Sequence, residues 1–69
     1  MSKILITLNG EQLQVESNID LGTLVDQLAL PAKRLAVEMN GNVIRRVDWP
    51  QTTVSEGDRI EVVHFVGGG

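Results

Sequence analysis

The stretch Ile4-Leu5-Ile6-Thr7-Leu8-Asn9-Gly10-Glu11-Gln12-Leu13-Gln14-Val15 decides how this chain folds. An Asn-Gly pair between alternating segments marks a β-hairpin, because a two-residue type I′ turn needs positive φ at both central positions. With Asn9-Gly10 as the turn, Leu8 faces Glu11. Side chains alternate faces along a strand. Ile4, Ile6 and Leu8 therefore share a face with Leu13 and Val15, while Thr7, Gln12 and Gln14 fall on the other. The register is self-consistent, and residues 3–8 and 11–16 read as the first two strands.

Outward from that hairpin, the same test succeeds at Asn40-Gly41. Segments 35–39 and 42–46 flank it, and Leu35, Val37 and Met39 share a face with Ile44. Between the hairpins, Ser17-Asn18-Ile19-Asp20 is a polar loop ending in a good N-cap residue. Leu21, Leu24, Val25 and Leu28 follow at the helical period, and Pro31 closes the segment. The pattern predicts one helix over 21–29. Gly22 weakens it by about 1 kcal/mol relative to alanine, so packing onto a sheet must hold it. Residues 47–58 read as an irregular loop with Trp49-Pro50 and a turn at Ser55-Glu56-Gly57-Asp58. A last strand, from Ile60 to about Val66, leads into Gly67-Gly68-Gly69.

The order is hairpin, helix, hairpin, loop, strand. Two hairpins and one helix bury each other most simply when the helix lies across one face of a mixed sheet. The last strand then enters between the hairpins, parallel to the first. That arrangement is an α+β fold of the β-grasp (ubiquitin-like) kind, about five strands packed on one helix. Residues 1–66 form the expected domain, and 67–69 a flexible glycine tail.

Composition narrows the function. A chain of 69 residues buries roughly 60% of the surface its unfolded form exposes. It has little room for a deep small-molecule cavity of roughly 300–1,000 Å³. The net charge of −3 argues against a nucleic-acid partner. With no cysteine, neither a disulfide scaffold nor a thiolate nucleophile is available. The sequence shows no signal-peptide pattern and no apolar run long enough to span a bilayer. The expected setting is the cytoplasm, with no membrane partner.

The side chains offer little catalysis. His64 is the only histidine and stands between Val63 and Phe65 in the last strand, without a metal-ligand set or a nucleophile beside it. Ser55, Asp58 and His64 are the residue types of a hydrolytic triad, but Ser-Glu-Gly-Asp is ordinary turn chemistry. Glu11, Glu16, Asp26, Glu38 and Glu61 are scattered as a solvated surface requires. The expectation is a non-enzyme with no metal and no bound cofactor.

The tail admits two readings on its residues alone. Small residues are tolerated at loose termini. Alternatively, a terminal glycine carboxylate lacks a neighbouring Cβ, so an enzyme can bring it in line with an ATP phosphorus, and glycines accept the backbone angles of a narrow channel. Ordering three glycines costs on the order of 3–6 kcal/mol, which docking of the body must offset. If Ile60 and Val62 face the core, Val63 and Phe65 emerge on the opposite sheet face, where Leu5, Ala36 and Val43 also fall. These five are the candidate docking residues beside the tail. Trp49 is either an interface anchor or a lid on the open edge of the core, the lid being favoured. Arg45 and Arg46 either pair with an acidic partner or are solvated.

Arg46-Val47-Asp48-Trp49 with Thr52, then Gly57-Asp58-Arg59-Ile60-Glu61-Val62-Val63 and Val66-Gly67-Gly68-Gly69, resemble the thiamine-biosynthesis sulfur carrier (ThiS) family. Leu35-Ala36-Val37-Glu38-Met39-Asn40 and the Asn9-Gly10 hairpin resemble it too, so the likeness covers essentially the whole chain. Its most specific part is the Gly-Asp-x-Ile-Glu-x-Val strand running into glycines. The resemblance implies that an ATP-using adenylating enzyme of the ubiquitin-activating type adenylates Gly69. Sulfur from a cysteine-desulfurase route would convert it to a thiocarboxylate, and thiazole synthase would accept that sulfur. Gly69 is then the modified residue, Gly68 lets the tail thread, and Gly67 adds reach. Two other readings share the fold: the small subunit of molybdopterin synthase, and a ubiquitin-like tag or interaction domain. The first would be told apart by its partner. The second predicts an isopeptide bond from Gly69, or full activity without the tail.

Overall fold

The computed structural model describes residues 2–29 and 34–64. Both Asn-Gly pairs make the turns their sequence demands, with φ of +49° and +84° at Asn9 and Gly10, and +54° and +87° at Asn40 and Gly41. They join β1 (Lys3–Leu8) to β2 (Glu11–Glu16), and β3 (Leu35–Met39) to β4 (Asn42–Ile44). In the first hairpin Ile4 lies opposite Val15 and Ile6 opposite Leu13, as the alternation requires. In the second Val37 lies opposite Ile44.

β5 (Arg59–His64) completes a five-stranded sheet in the order β2-β1-β5-β3-β4. It runs parallel to β1, pairing Thr7 with Arg59 and Leu8 with Ile60. It runs antiparallel to β3, from Met39–Ile60 to Leu35–His64. The β-grasp expectation therefore holds, although residues 65 and 66 of the predicted strand lie outside the described residues. Both hairpin turns also grip β5. Asn9 N–H donates to the Ile60 carbonyl at 2.9 Å, and Val62 N–H donates to Asn9 Oδ1 at 2.9 Å. On the other side Asn40 N–H donates to the Arg59 carbonyl at 2.7 Å, and Arg59 N–H to Asn40 Oδ1 at 2.9 Å.

One helix, α1 (Leu21–Gln27), crosses the inner face and buries Leu21, Leu24 and Val25. Asp20 caps it: Oδ2 accepts from Thr23 N–H at 2.9 Å and Oδ1 from Thr23 Oγ1 at 2.6 Å. These bonds hold the Asp20 carboxyl below its ordinary value of 3.8, the Thr23 side-chain bond contributing most. The helix ends two residues earlier than the sequence predicts. Its last turn tightens, with Leu28 N–H bonding the Val25 carbonyl and Ala29 N–H the Asp26 carbonyl. Ala29 then takes a φ of +57°, which no right-handed helix can include.

The sequence also misreads the connection before β5. β4 stops at Ile44 instead of reaching 46, and residues Arg46–Gln51 form a 3₁₀ helix where an irregular loop was expected. The cause is Trp49. Its side chain is buried, and its Nε1–H donates to the Ile44 carbonyl at 3.0 Å, drawing the chain out of the sheet. The following segment ties back to the helix entry, Leu21 N–H to the Thr52 carbonyl and Val54 N–H to the Ile19 carbonyl, each 2.8 Å. Ile19 and Val54, assigned from the sequence to polar connections, are therefore core residues. Leu13 departs in the other direction. It lies on the core side by register but is 37% exposed, because β2 is an edge strand with no neighbour beyond it.

Gly22 is explained by the same packing. A Cβ at this position would stand 3.1 Å from Asp20 Oδ2 and 3.6 Å from the Pro50 nitrogen. The Gly22→Ala change should therefore not deliver the gain of about 1 kcal/mol expected of a helical glycine; urea denaturation should show an unchanged or lower midpoint.

The cap also predicts a pH effect. A carboxylate with a lowered folded-state pKa stabilises the fold above its unfolded value, and that stability is lost as pH falls through the folded value. Asp20→Asn should keep a workable cap but flatten this decline below pH 3.8, whereas Asp20→Ala should lower the thermal midpoint at neutral pH as well.

Candidate functional site

With Ile60 and Val62 buried, alternation turns Arg59, Glu61 and Val63 to the outer face of the sheet. Cross-strand pairing sets Ala36 beside Val63 and Glu38 beside Glu61, and Val43 opposite Glu38. Three of the expected docking residues thus gather at one end of the outer face. Val63 is 52% exposed and Val43 68% exposed, with Ala36 half-buried between their strands. This end of the sheet is where β5 leads toward residue 65.

Leu5 does not join them. It shares the outer face, but its carbonyl accepts from Gly57 N–H at 2.8 Å and its N–H donates to Glu56 Oε1 at 3.2 Å. Parallel pairing puts the end of β1, Thr7 and Leu8, beside the beginning of β5, so Leu5 lies level with Gly57, six strand positions from the level of Val63 and roughly 20 Å away. It belongs to the opposite end of the face. Phe65, Gly67, Gly68 and Gly69, the remaining expected site residues, lie outside the described residues.

The acids are less evenly scattered than the sequence implies. Glu38 and Glu61 are direct cross-strand partners on the exposed face, an arrangement that disfavours the sheet. Arg59 lines the same shallow hollow, together with Asn40. Only the register of two strands more than 20 residues apart places these acids together, so no local signal in the sequence reveals the pair. This end of the outer face is therefore apolar at Val43, Val63 and Ala36, and negatively charged alongside.

The opposite side of the domain carries an open groove floored by Val25, Trp49 and Pro50, with Asp26 and Arg46 at its rim. The Arg46 guanidinium lies over the Trp49 ring, 5.5 Å from its centroid, a contact worth little when exposed to water. Trp49 acts as the lid over the core edge. Asp58 and Ser55 meet only within their turn, where Asp58 Oδ2 accepts from Ser55 N–H at 2.8 Å. His64 is exposed at the far end of β5, so the three residues form no triad. Among the described residues no three metal-ligating side chains converge, and no helix is long and apolar enough to cross a membrane.

Residues 4–69 match the ThiS family model. The chain is 37% identical to the sulfur carrier protein ThiS of Bacillus subtilis, over 94% of this chain and 100% of that protein. It is 41% identical to a thiazole synthase of Magnetococcus marinus over 93% of this chain, but spans only 20% of that protein. Among solved structures, a thiamine biosynthesis protein (ThiS) from Geobacter metallireducens superposes with a TM-score of 0.86 at 33% identity. That match covers 96% of this chain and 100% of the other.

The opposed acids give a direct expectation for stability. Glu38→Gln or Glu61→Gln should raise unfolding free energy by roughly 0.2–1 kcal/mol. Urea titrations at low and high salt should show that gain shrinking as salt screens the pair.

Proposed function

This chain belongs to the ThiS family, and on that footing we propose that it is a sulfur carrier for assembling the thiazole of thiamine, with Gly69 holding the sulfur. The observation that carries the reading is the placement of β5. The strand that leads to the glycine segment is the middle strand of the sheet, bonded on both sides and gripped by both hairpin turns. A rigid base of this kind suits a protein whose reacting group lies a few residues beyond its last strand.

In this reading the chain is a cosubstrate and not an enzyme. A partner of the ubiquitin-activating type binds ATP, and a Gly69 carboxylate oxygen attacks the α-phosphorus, expelling pyrophosphate. The resulting acyl-adenylate is captured by the outer sulfur of a protein persulfide made by a cysteine desulfurase, AMP leaves, and a thiol then reduces the S–S bond to free the thiocarboxylate, itself ending in a disulfide. Thiazole synthase then takes the sulfur from the thiocarboxylate. Gly67 and Gly68 thread the partner's channel because they bring no side chains to it. Ordering the three glycines costs on the order of 3–6 kcal/mol, and the outer face offsets it by docking through Ala36, Val43 and Val63. The cytoplasm remains the expected setting of the exchange. The thiazole branch is preferred over molybdopterin synthesis because a domain similar to this chain occupies a fifth of a thiazole synthase.

The test is thiol alkylation read by intact mass, after incubation with host cytosolic extract, ATP and cysteine. The chain has no cysteine, so an alkylated product reports a thiocarboxylate and not a side chain. The intact protein should be labelled and a variant lacking Gly69 should not. Val63→Asp should keep the fold yet lose at least tenfold in labelling rate. An unlabelled intact protein, in extract active on a known carrier, would overturn the sulfur reading.

A further inference from the structure

Asparagine followed by glycine readily loses its side-chain amide, because glycine puts no side chain in the way of its own backbone nitrogen. This chain has two such pairs, and both serve as latches on β5. The latches are chemically unequal. Asn9 offers β5 an acceptor, Oδ1, to Val62 N–H. A carboxylate at position 9 would supply the same acceptor. Asn40 uses both ends of its amide: Oδ1 accepts from Arg59 N–H, while Nδ2 donates to Asp58 Oδ1 at 3.0 Å.

We propose that Asn40-Gly41 is a modification site at which deamidation releases the central strand, while Asn9-Gly10 tolerates the aspartate that the same reaction leaves there. The Gly41 backbone nitrogen attacks Asn40 Cγ, the bond from Cγ to the side-chain nitrogen breaks, and ammonia leaves. Water opens the five-membered imide to aspartate or its β-linked isomer. The sum is an amide plus water giving a carboxylate plus ammonium, with no change of oxidation state.

At position 40 the product loses the donor and sets two carboxylates against each other at the distance now spanned by the Asn40–Asp58 bond. Glu38 and Glu61 line the same hollow, so added negative charge meets more of its own sign, with Arg59 as a partial counterweight. Asp58 also holds Ser55 N–H, and its displacement would loosen the turn that launches β5. The β-linked isomer lengthens the backbone by one carbon and disturbs either turn, since φ is +49° at Asn9 and +54° at Asn40; the two sites differ in their aspartate product. While β5 is docked, bonds at both ends of the Asn40 amide restrain Cγ from approaching the Gly41 nitrogen. The reaction therefore follows opening of the strand and traps the opened form. Any consequence for the tail rests on the sulfur-carrier reading, but the stability readout does not.

The experiment compares thermal midpoints of Asn40→Asp, Asn9→Asp, Asp58→Asn and the double variant Asn40→Asp/Asp58→Asn. The first should fall by about 5 °C, and the second should stay near the parent. Adding Asn40→Asp to Asp58→Asn should lower the midpoint much less than Asn40→Asp lowers that of the parent, because an amide at position 58 can donate to the new carboxylate and still accept from Ser55 N–H. A parental midpoint for Asn40→Asp, or an equal loss in the Asp58→Asn background, overturns the proposal. If Asn40→Asp fails to fold, parent protein aged at mildly alkaline pH and mapped by peptide mass decides instead. Unfolded material should be converted at Asn40 and folded material at Asn9; folded material fully converted at Asn40 overturns the proposal.

Discussion

Everything in this domain depends on how its last strand is received. β5 is the middle strand, yet it is made after both hairpins and the helix. Until it enters, β1 and β3 each have an open edge, and neither hairpin has a complete sheet on which to bury its apolar face. A lone hairpin is marginal in water. The contacts that close the sheet join residues far apart in sequence, such as Leu8 with Ile60. Their loop-closure entropy must be overcome before burial repays it. The turn asparagines reduce the ambiguity of that step, since Asn9 and Asn40 meet β5 from opposite sides with backbone and side chain together.

The inner side follows from this closure. Seven helical residues are too few to be stable alone in water, so α1 persists because Leu21, Leu24 and Val25 find Ile60, Val62 and Val37 beneath them in one buried cluster. The rest of the cover comes from the 3₁₀ segment. Trp49 seals the core edge, and Pro50 approaches the helix where Gly22 leaves space. The same connection that ends β4 early therefore completes the core.

On the outer side, stability and use pull in different directions. The exposed Val43 and Val63 and the facing Glu38 and Glu61 are poor choices for an isolated sheet. They suit a surface that is covered part of the time by a partner, which is what the proposed passage between enzymes would require. In the function proposed above, the side chains supply recognition and the chemistry is left to a glycine carboxylate activated by another protein.

Much of this was legible in the linear sequence, because it depends on short-range stereochemistry. Asn9-Gly10 and Asn40-Gly41 determine both turns, alternation determines which residues of each strand share a face, and the spacing of Leu21, Leu24 and Val25 determines the helix. The proposal that Gly69 carries the sulfur rests on the glycine tail and the family resemblance, at residues outside the described ones. Tertiary structure alone decided the rest. Trp49 converted an apparent loop into a 3₁₀ helix by capturing the Ile44 carbonyl. Ile19 and Val54 entered the core through a backbone bond between segments 35 residues apart. The parallel register of β1 on β5 moved Leu5 away from Val63, and the register of β3 on β5 brought Glu38 against Glu61. Each of these depends on which distant segments meet, which is set by closure of the whole sheet and not by the preferences of neighbouring residues.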